Sequence, residues 1–208
     1  MALAASLVLD PVLAELVRPV TLAGDQLLAV PESLASLFPS GGLQRGWSVG
    51  VCGEAAWTLA MMLWAEALGA EGWVAIVGCP DFGLAAASRA GIRLDRVIVV
   101  ETPPAGQWAT VVAALLEAFD IVAIDPLARV GRREARRLTA RAREQGAVLF
   151  HLDGGRSWPS ALDLTLTGRV TAGWQGIGDG HGHLTERSFA VDAIGRRTGR
   201  PHSLALSL

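Results

Sequence analysis

The chain has 208 residues, a length that suits one domain built on one hydrophobic core. It carries 18 arginines, no lysine and 20 acidic residues, for a formal charge of −2, and its 51% hydrophobic content excludes a disordered chain. The absence of lysine also excludes any mechanism that needs its amine, from Schiff bases to a P-loop whose lysine grips phosphates.

The longest apolar stretch, residues 55–68, includes Thr58 and Glu66 and is too short and too polar to span a bilayer. The first nine residues have no cationic start, so no signal peptide is expected. Cys52 and Cys79 are too few for a disulfide framework, and a cytoplasmic protein is expected. Abundant Arg, Ala and Gly without Lys or Asn suggest a GC-rich coding bias, which lowers the weight of any single arginine.

Asp10-Pro11 starts a predicted helix with a good cap and a first-turn proline, and Leu13, Leu16 and Val17 form its apolar face before Pro19. Pro31-Glu32 opens a second short helix ending at Phe38. Residues 47–52 read as a strand, broken by Gly53. A helix follows over residues 55–68, with Trp57, Met61, Trp64 and Leu68 on one face. Strands are expected at 73–77, 97–100, 121–124 and 147–150. Helices are expected at 82–90, 107–118 and 131–144.

That alternation predicts an α/β fold, a mainly parallel sheet flanked by helices. After His151 the helices stop. Residues 162–166, 169–174 and 188–191 read as strands joined by Gly-rich turns, an antiparallel hairpin extension of one sheet edge. The expected organisation is an N-terminal helical segment (1–30), a core (31–195) and a flexible C-terminal tail (196–208). The alternating Ser203 to Leu208 could add as a strand to a partner's sheet.

Ligands of such folds sit at the carboxyl ends of the strands. Gly53, Glu54, Trp57 and Thr58 occupy the strand-to-helix junction where a P-loop belongs, but the loop is short and lacks its lysine. Asp125 ends an apolar strand as a Walker B aspartate does, although it also suits the turn before Pro126.

Ser40 to Gly46, followed by a strand and Gly53, resembles the entry into a RecA core. So do Ala90 to Val99 and the strand ending at Asp125. Gly173 to Leu184 resembles the C-terminal signature of ImuA-type proteins, in particular the short actinobacterial form, ImuA-prime. The resemblance spans residues 31–195 and implies a degenerate RecA-like core. It further implies a non-catalytic accessory role in a damage-induced mutasome, supporting translesion synthesis and induced mutagenesis. The implied partners are ImuB, an inactive Y-family polymerase homologue, and indirectly an error-prone C-family polymerase. DNA and further copies of the chain are additional candidates, and the nucleoid is an additional location during damage. No cofactor or membrane is implied.

The departures from RecA bear on mechanism. Cys79 falls at or near the position of the RecA catalytic glutamate, and both DNA-binding loops are short or missing. The chain is therefore expected not to be an enzyme. Leu13, Leu16 and Val17 match RecA's oligomerisation helix in placement and are a candidate oligomer or partner helix. Two alternatives stay open: a nucleotide sensor or residual ATPase of RecA type, and a SulA-like cell-division inhibitor.

Residues 126–145 hold seven arginines against two glutamates, a net +5. Arg129, Arg132, Arg133, Arg136, Arg137 and Arg141 are therefore a candidate surface for DNA or an acidic partner, or else a solvated outer helix. Arg156 and Trp158, a cation beside an aromatic, could hold a phosphate and stack a base, or form a turn with Trp158 packed on the sheet. Asp179, His181 and His183 are too few and too Gly-interleaved for a metal site, so no metal is expected.

Overall fold

The structure is a computed structural model and describes residues 27–125, 130–177, 182–196 and 202–207. Leu13, Leu16, Val17 and Arg129, and with them the predicted N-terminal helix, lie outside the described residues. So do Asp179 and His181.

Four apolar runs form the buried middle of the sheet: β3 (Ser48–Cys52), β4 (Val74–Val77), β6 (Ile121–Ile124) and β7 (Val148–His151). With β5 (Val97–Val100) at one edge they run parallel, because helices carry the chain back between them. These helices are α1 (Ala56–Leu68), α2 (Leu84–Arg89), α3 (Ala105–Ala118) and α4 (Arg132–Gln145).

Alternate residues of each strand face opposite layers. Val49, Val51, Ile76 and Phe150 meet Leu59, Leu63 and Trp64 of α1 in one cluster. Val77, Val122, Ile124 and Leu149 meet Trp108, Val112, Leu116 and Leu138 of α3 and α4 in the other. Helices on both faces therefore explain why these strands read as nearly continuous hydrophobic runs.

The remaining strands extend the sheet beyond β3. The full order is β10 (His202–Ser207), β9 (Gly182–Gly195), β8 (Leu164–Ile177), β3, β7, β6, β4, β5. The long β8 (Leu164–Ile177) runs parallel to β3 and antiparallel to β9 (Gly182–Gly195). The two strands predicted over 162–174 are thus one, since Gly168 continues the strand instead of turning it.

The C-terminal residues differ from the sequence expectation. Residues 202–207 are not a loose tail but β10 (His202–Ser207), paired antiparallel with β9 of the same chain. Their polar–apolar alternation serves the chain's own sheet: Leu204 and Leu206 pack on the core. Ser203 Oγ donates to Asp192 Oδ1 at 2.5 Å.

The boundary expected at residue 30 also moves. β1 (Leu27–Leu28) pairs with β2 (Leu43–Gln44), so the core begins before Pro31. The predicted second helix is a 3-10 turn over Glu32–Leu37, held between Pro31 and Pro39.

The buried face of α1 is rotated from the expected one. Leu59, Ala60, Leu63, Trp64 and Leu68 are buried, while Met61 lies at the margin and Trp57 remains 38% exposed.

Candidate functional site

Five segments meet at the carboxyl edge of the parallel strands: the β3–α1 junction, the ends of β4 and β6, the loop after β7, and the middle of β8. Gly53 has φ +90°, and a Cβ there would overlap the Gly168 carbonyl oxygen. β8 therefore passes directly against the junction. The Ala55 N–H donates to that carbonyl at 3.2 Å, and the Val170 N–H donates to Glu54 Oε2 at 3.1 Å. Cys52 Sγ lies 3.3 Å from Thr167 Oγ1.

A phosphate cradle needs several free N–H groups converging on a cavity at a helix N-terminus. Here one of those groups is bonded to β8, and the Glu54 carboxylate adds negative charge beside it. Thr58, half-buried, stands in the first turn of α1.

Trp57, Cys79 and Asp125 do come together. They line a concavity of about 260 Å³ with Gly78, Pro80 and Asp81. Gly78 (φ +78°) lets the ends of β4 and β6 approach, since a Cβ there would stand 2.9 Å from the Asp125 carbonyl oxygen. The Trp57 ring packs on Phe82 at 5.6 Å between centroids.

Burial, reinforced by the negative charge of Asp125, pushes the Cys79 thiol up to about 12. It is therefore protonated at neutral pH, and its Sγ faces the Val77 carbonyl oxygen at 3.7 Å. Burial, and then the neighbouring Asp153, also raise the Asp125 carboxyl. Among the described residues the lining holds two aspartates and no arginine.

The loop after β7 is fixed by Asp153. Its carboxylate accepts the Gly155 and Ser157 N–H groups, each at 2.7 Å. Burial pushes this carboxyl up, but the bonds from Ser157 and Gly155 outweigh that and hold it low. Arg156 is exposed and its Nε donates to the Asp153 carbonyl at 3.1 Å.

Trp158 is not a base-stacking platform. It is 5% exposed, sits in the α3–α4 cluster, and packs on the buried His151 ring at 4.5 Å between centroids. A ring at that depth has no free face for a base.

The basic helix separates into two groups. Arg141 is an internal strut, paired with Glu117 of α3 and, at 3.6 Å, with Glu144. Arg132, Arg133, Arg136 and Arg137 are exposed and form no ion pair among the described residues. Ala135, Leu138 and Ala142 bury the opposite face of α4.

A second concavity, about 420 Å³, was not foreseen. It lies at the amino end of the sheet, and Arg45, Trp47, Arg143, Asp163 and Arg196 contribute to its walls. These residues come from four distant segments, so no local motif announces it.

The family model of the MT3502 N-terminal domain matches residues 36–160. The uncharacterized protein Rv3395c of Mycobacterium tuberculosis (strain ATCC 25618 / H37Rv) is 36% identical over 156 residues, covering 74% of each chain. The chain belongs to the MT3502 N-terminal domain family.

Its fold is RecA-like. The crystal structure of the RadB recombinase superposes with a TM-score of 0.58, covering 85% of this chain and 92% of that one at 18% identity. SulA from Pseudomonas aeruginosa matches 50% of this chain and 93% of its own, at 18% identity and a TM-score of 0.41. No helix among the described residues is long and apolar enough to cross a membrane.

Proposed function

We propose that the chain is a non-catalytic, RecA-like accessory protein of the ImuA-prime kind. It would act in a damage-induced mutasome by binding ImuB, and through ImuB reach an error-prone polymerase during translesion synthesis. The observation that carries this reading is the occupied β3–α1 junction. Ala55 donates to Gly168, and Glu54 accepts from Val170, where a RecA-type ATPase would hold phosphates.

Two features support it. The adjoining concavity presents Asp81 and Asp125 without an opposing cation among the described residues, which disfavours a triphosphate. The protonated Cys79 thiol is a poor substitute for a catalytic carboxylate. What the fold retains is surface, and the unpaired arginines of α4 are its most strongly charged part.

Co-purification with tagged ImuB tests the proposal. A stoichiometric complex that survives washing with ATP-free buffer is expected. No complex under any nucleotide condition would remove the mutasome assignment.

A further inference from the structure

The amino-end concavity carries a surplus of positive charge that the fold itself does not consume. Arg45 pairs with Asp120 at 2.9 Å and donates to the Gly146 carbonyl at 3.4 Å, holding the end of α4. Arg143 pairs with Asp163 at 3.2 Å, and Asp163 also accepts the Ser48 N–H at 2.9 Å. Both guanidiniums are positioned by carboxylates, and each keeps further N–H donors.

Arg196 differs. Its backbone N–H is anchored to the Asp163 carbonyl at 3.2 Å, yet its guanidinium has no ion pair among the described residues. Three arginines and two carboxylates thus leave one cation over, beside a concavity of about 420 Å³.

The approach of α4 to this wall is deliberate in the backbone. Gly46 has φ +81°, and a Cβ there would stand 3.0 Å from Arg143 Cα. Only glycine allows this close approach in the left-handed conformation. Arg143 also belongs to a longer stripe. Arg132, Arg136 and Arg143 stand at i, i+4 and i+11, on one flank of the helix and spanning about 16 Å. Arg132 and Arg136 are exposed and form no ion pair among the described residues.

From this geometry we infer that the concavity is an anion site for a backbone phosphate of a nucleic-acid strand, which continues along the Arg132–Arg136–Arg143 flank. Guanidinium forks match phosphate oxygens in pairs. The elongated track favours a polyanion over a single small anion. The concavity lies at the end of the sheet opposite the β3–α1 junction, so phosphate binding there does not require a nucleotide at that junction.

Fluorescence polarisation of the intact chain with a labelled single-stranded oligonucleotide tests this. Arg196→Glu and the pair Arg132→Glu/Arg136→Glu should each weaken binding about tenfold, and Arg196→Ala should lower the salt dependence by about one phosphate contact. Arg89→Glu on α2, the same charge change as Arg196→Glu at a different place, should have a much smaller effect, and ImuB co-purification should be retained in Arg196→Glu. The inference fails if the wild-type chain does not bind the oligonucleotide, or if Arg89→Glu weakens binding as much as Arg196→Glu. It also fails if polyglutamate competes as well as DNA, or if calorimetry shows inorganic pyrophosphate binding while oligonucleotide binding is absent.

Discussion

The Ala55 N–H donates to the Gly168 carbonyl oxygen across 3.2 Å, joining the first residues of α1 to the middle of β8. A strand of the C-terminal extension thereby occupies the junction at which RecA-type ATPases hold phosphate. The contact depends on two glycines. Gly53 carries a positive φ, and a Cβ on Gly168 would stand 2.9 Å from that of Ala55.

Gly53→Ala should therefore destabilise the fold by about 1–3 kcal/mol, through backbone strain and overlap with Gly168. Urea denaturation of the purified variant measures it. A change of a few tenths of a kcal/mol would mean that β8 can move away from the junction.

Trp158→Ala should cost about 3–5 kcal/mol, as expected for a large core aromatic. Trp158→Phe should cost clearly less, because the indole N–H it removes has no hydrogen-bond partner among the described residues. If Trp158 instead contacted bases, Trp158→Phe would weaken oligonucleotide binding without a change in denaturation midpoint.

His151 gives the acid limb of stability a defined sign. Burial lowers its imidazole from 6.5 to about 3, so the unfolded chain binds the proton more tightly. Stability should be fully present above pH 6.5 and fall toward pH 3, by up to about 1.4 kcal/mol per pH unit from this group. Neither ring nitrogen has a hydrogen-bond partner among the described residues, so His151→Phe should flatten this slope at little cost at pH 7. Denaturant midpoints at pH 7 and pH 5 for the two proteins test it, and equal slopes would contradict the assignment.

The raised thiol of Cys79 should make it slow to react. At pH 8, iodoacetamide should label the half-buried Cys52 well before Cys79, as read by peptide mass spectrometry. Folded-state stability should also decline as pH rises from 9 toward 12, where the unfolded thiol ionises first. Equal labelling of both cysteines would show that the β4 end is open.

Much of the fold was legible because its signals are local. The runs 121–124 and 147–150 are apolar without alternation, as strands covered on both faces must be, and they fall within a residue of β6 and β7. Gly146, in the left-handed region after α4, marked that helix end. The rotation of α1 was not legible. Trp57 has the right helical phase, but its environment is set by Phe82 and the concavity beyond β4 rather than by the sheet.

The site was legible only in part. The absent lysine and the short loop raise the expectation of a degenerate nucleotide site, but nothing in the sequence announces that β8 packs on the junction, since Gly53 and Gly168 are far apart. Trp158 and Arg156 are neighbours in sequence and separate in space, one packed on His151 and the other at the surface. The Arg45–Arg143–Arg196 concavity is assembled wholly by long-range packing.

Isothermal titration calorimetry with ATP and Mg²⁺ is the decisive test of the proposed non-catalytic role. The occupied junction predicts no binding heat up to millimolar ATP. Saturable binding with a micromolar Kd would contradict it, and would mean that β8 withdraws from Ala55 and Glu54 to open a phosphate site.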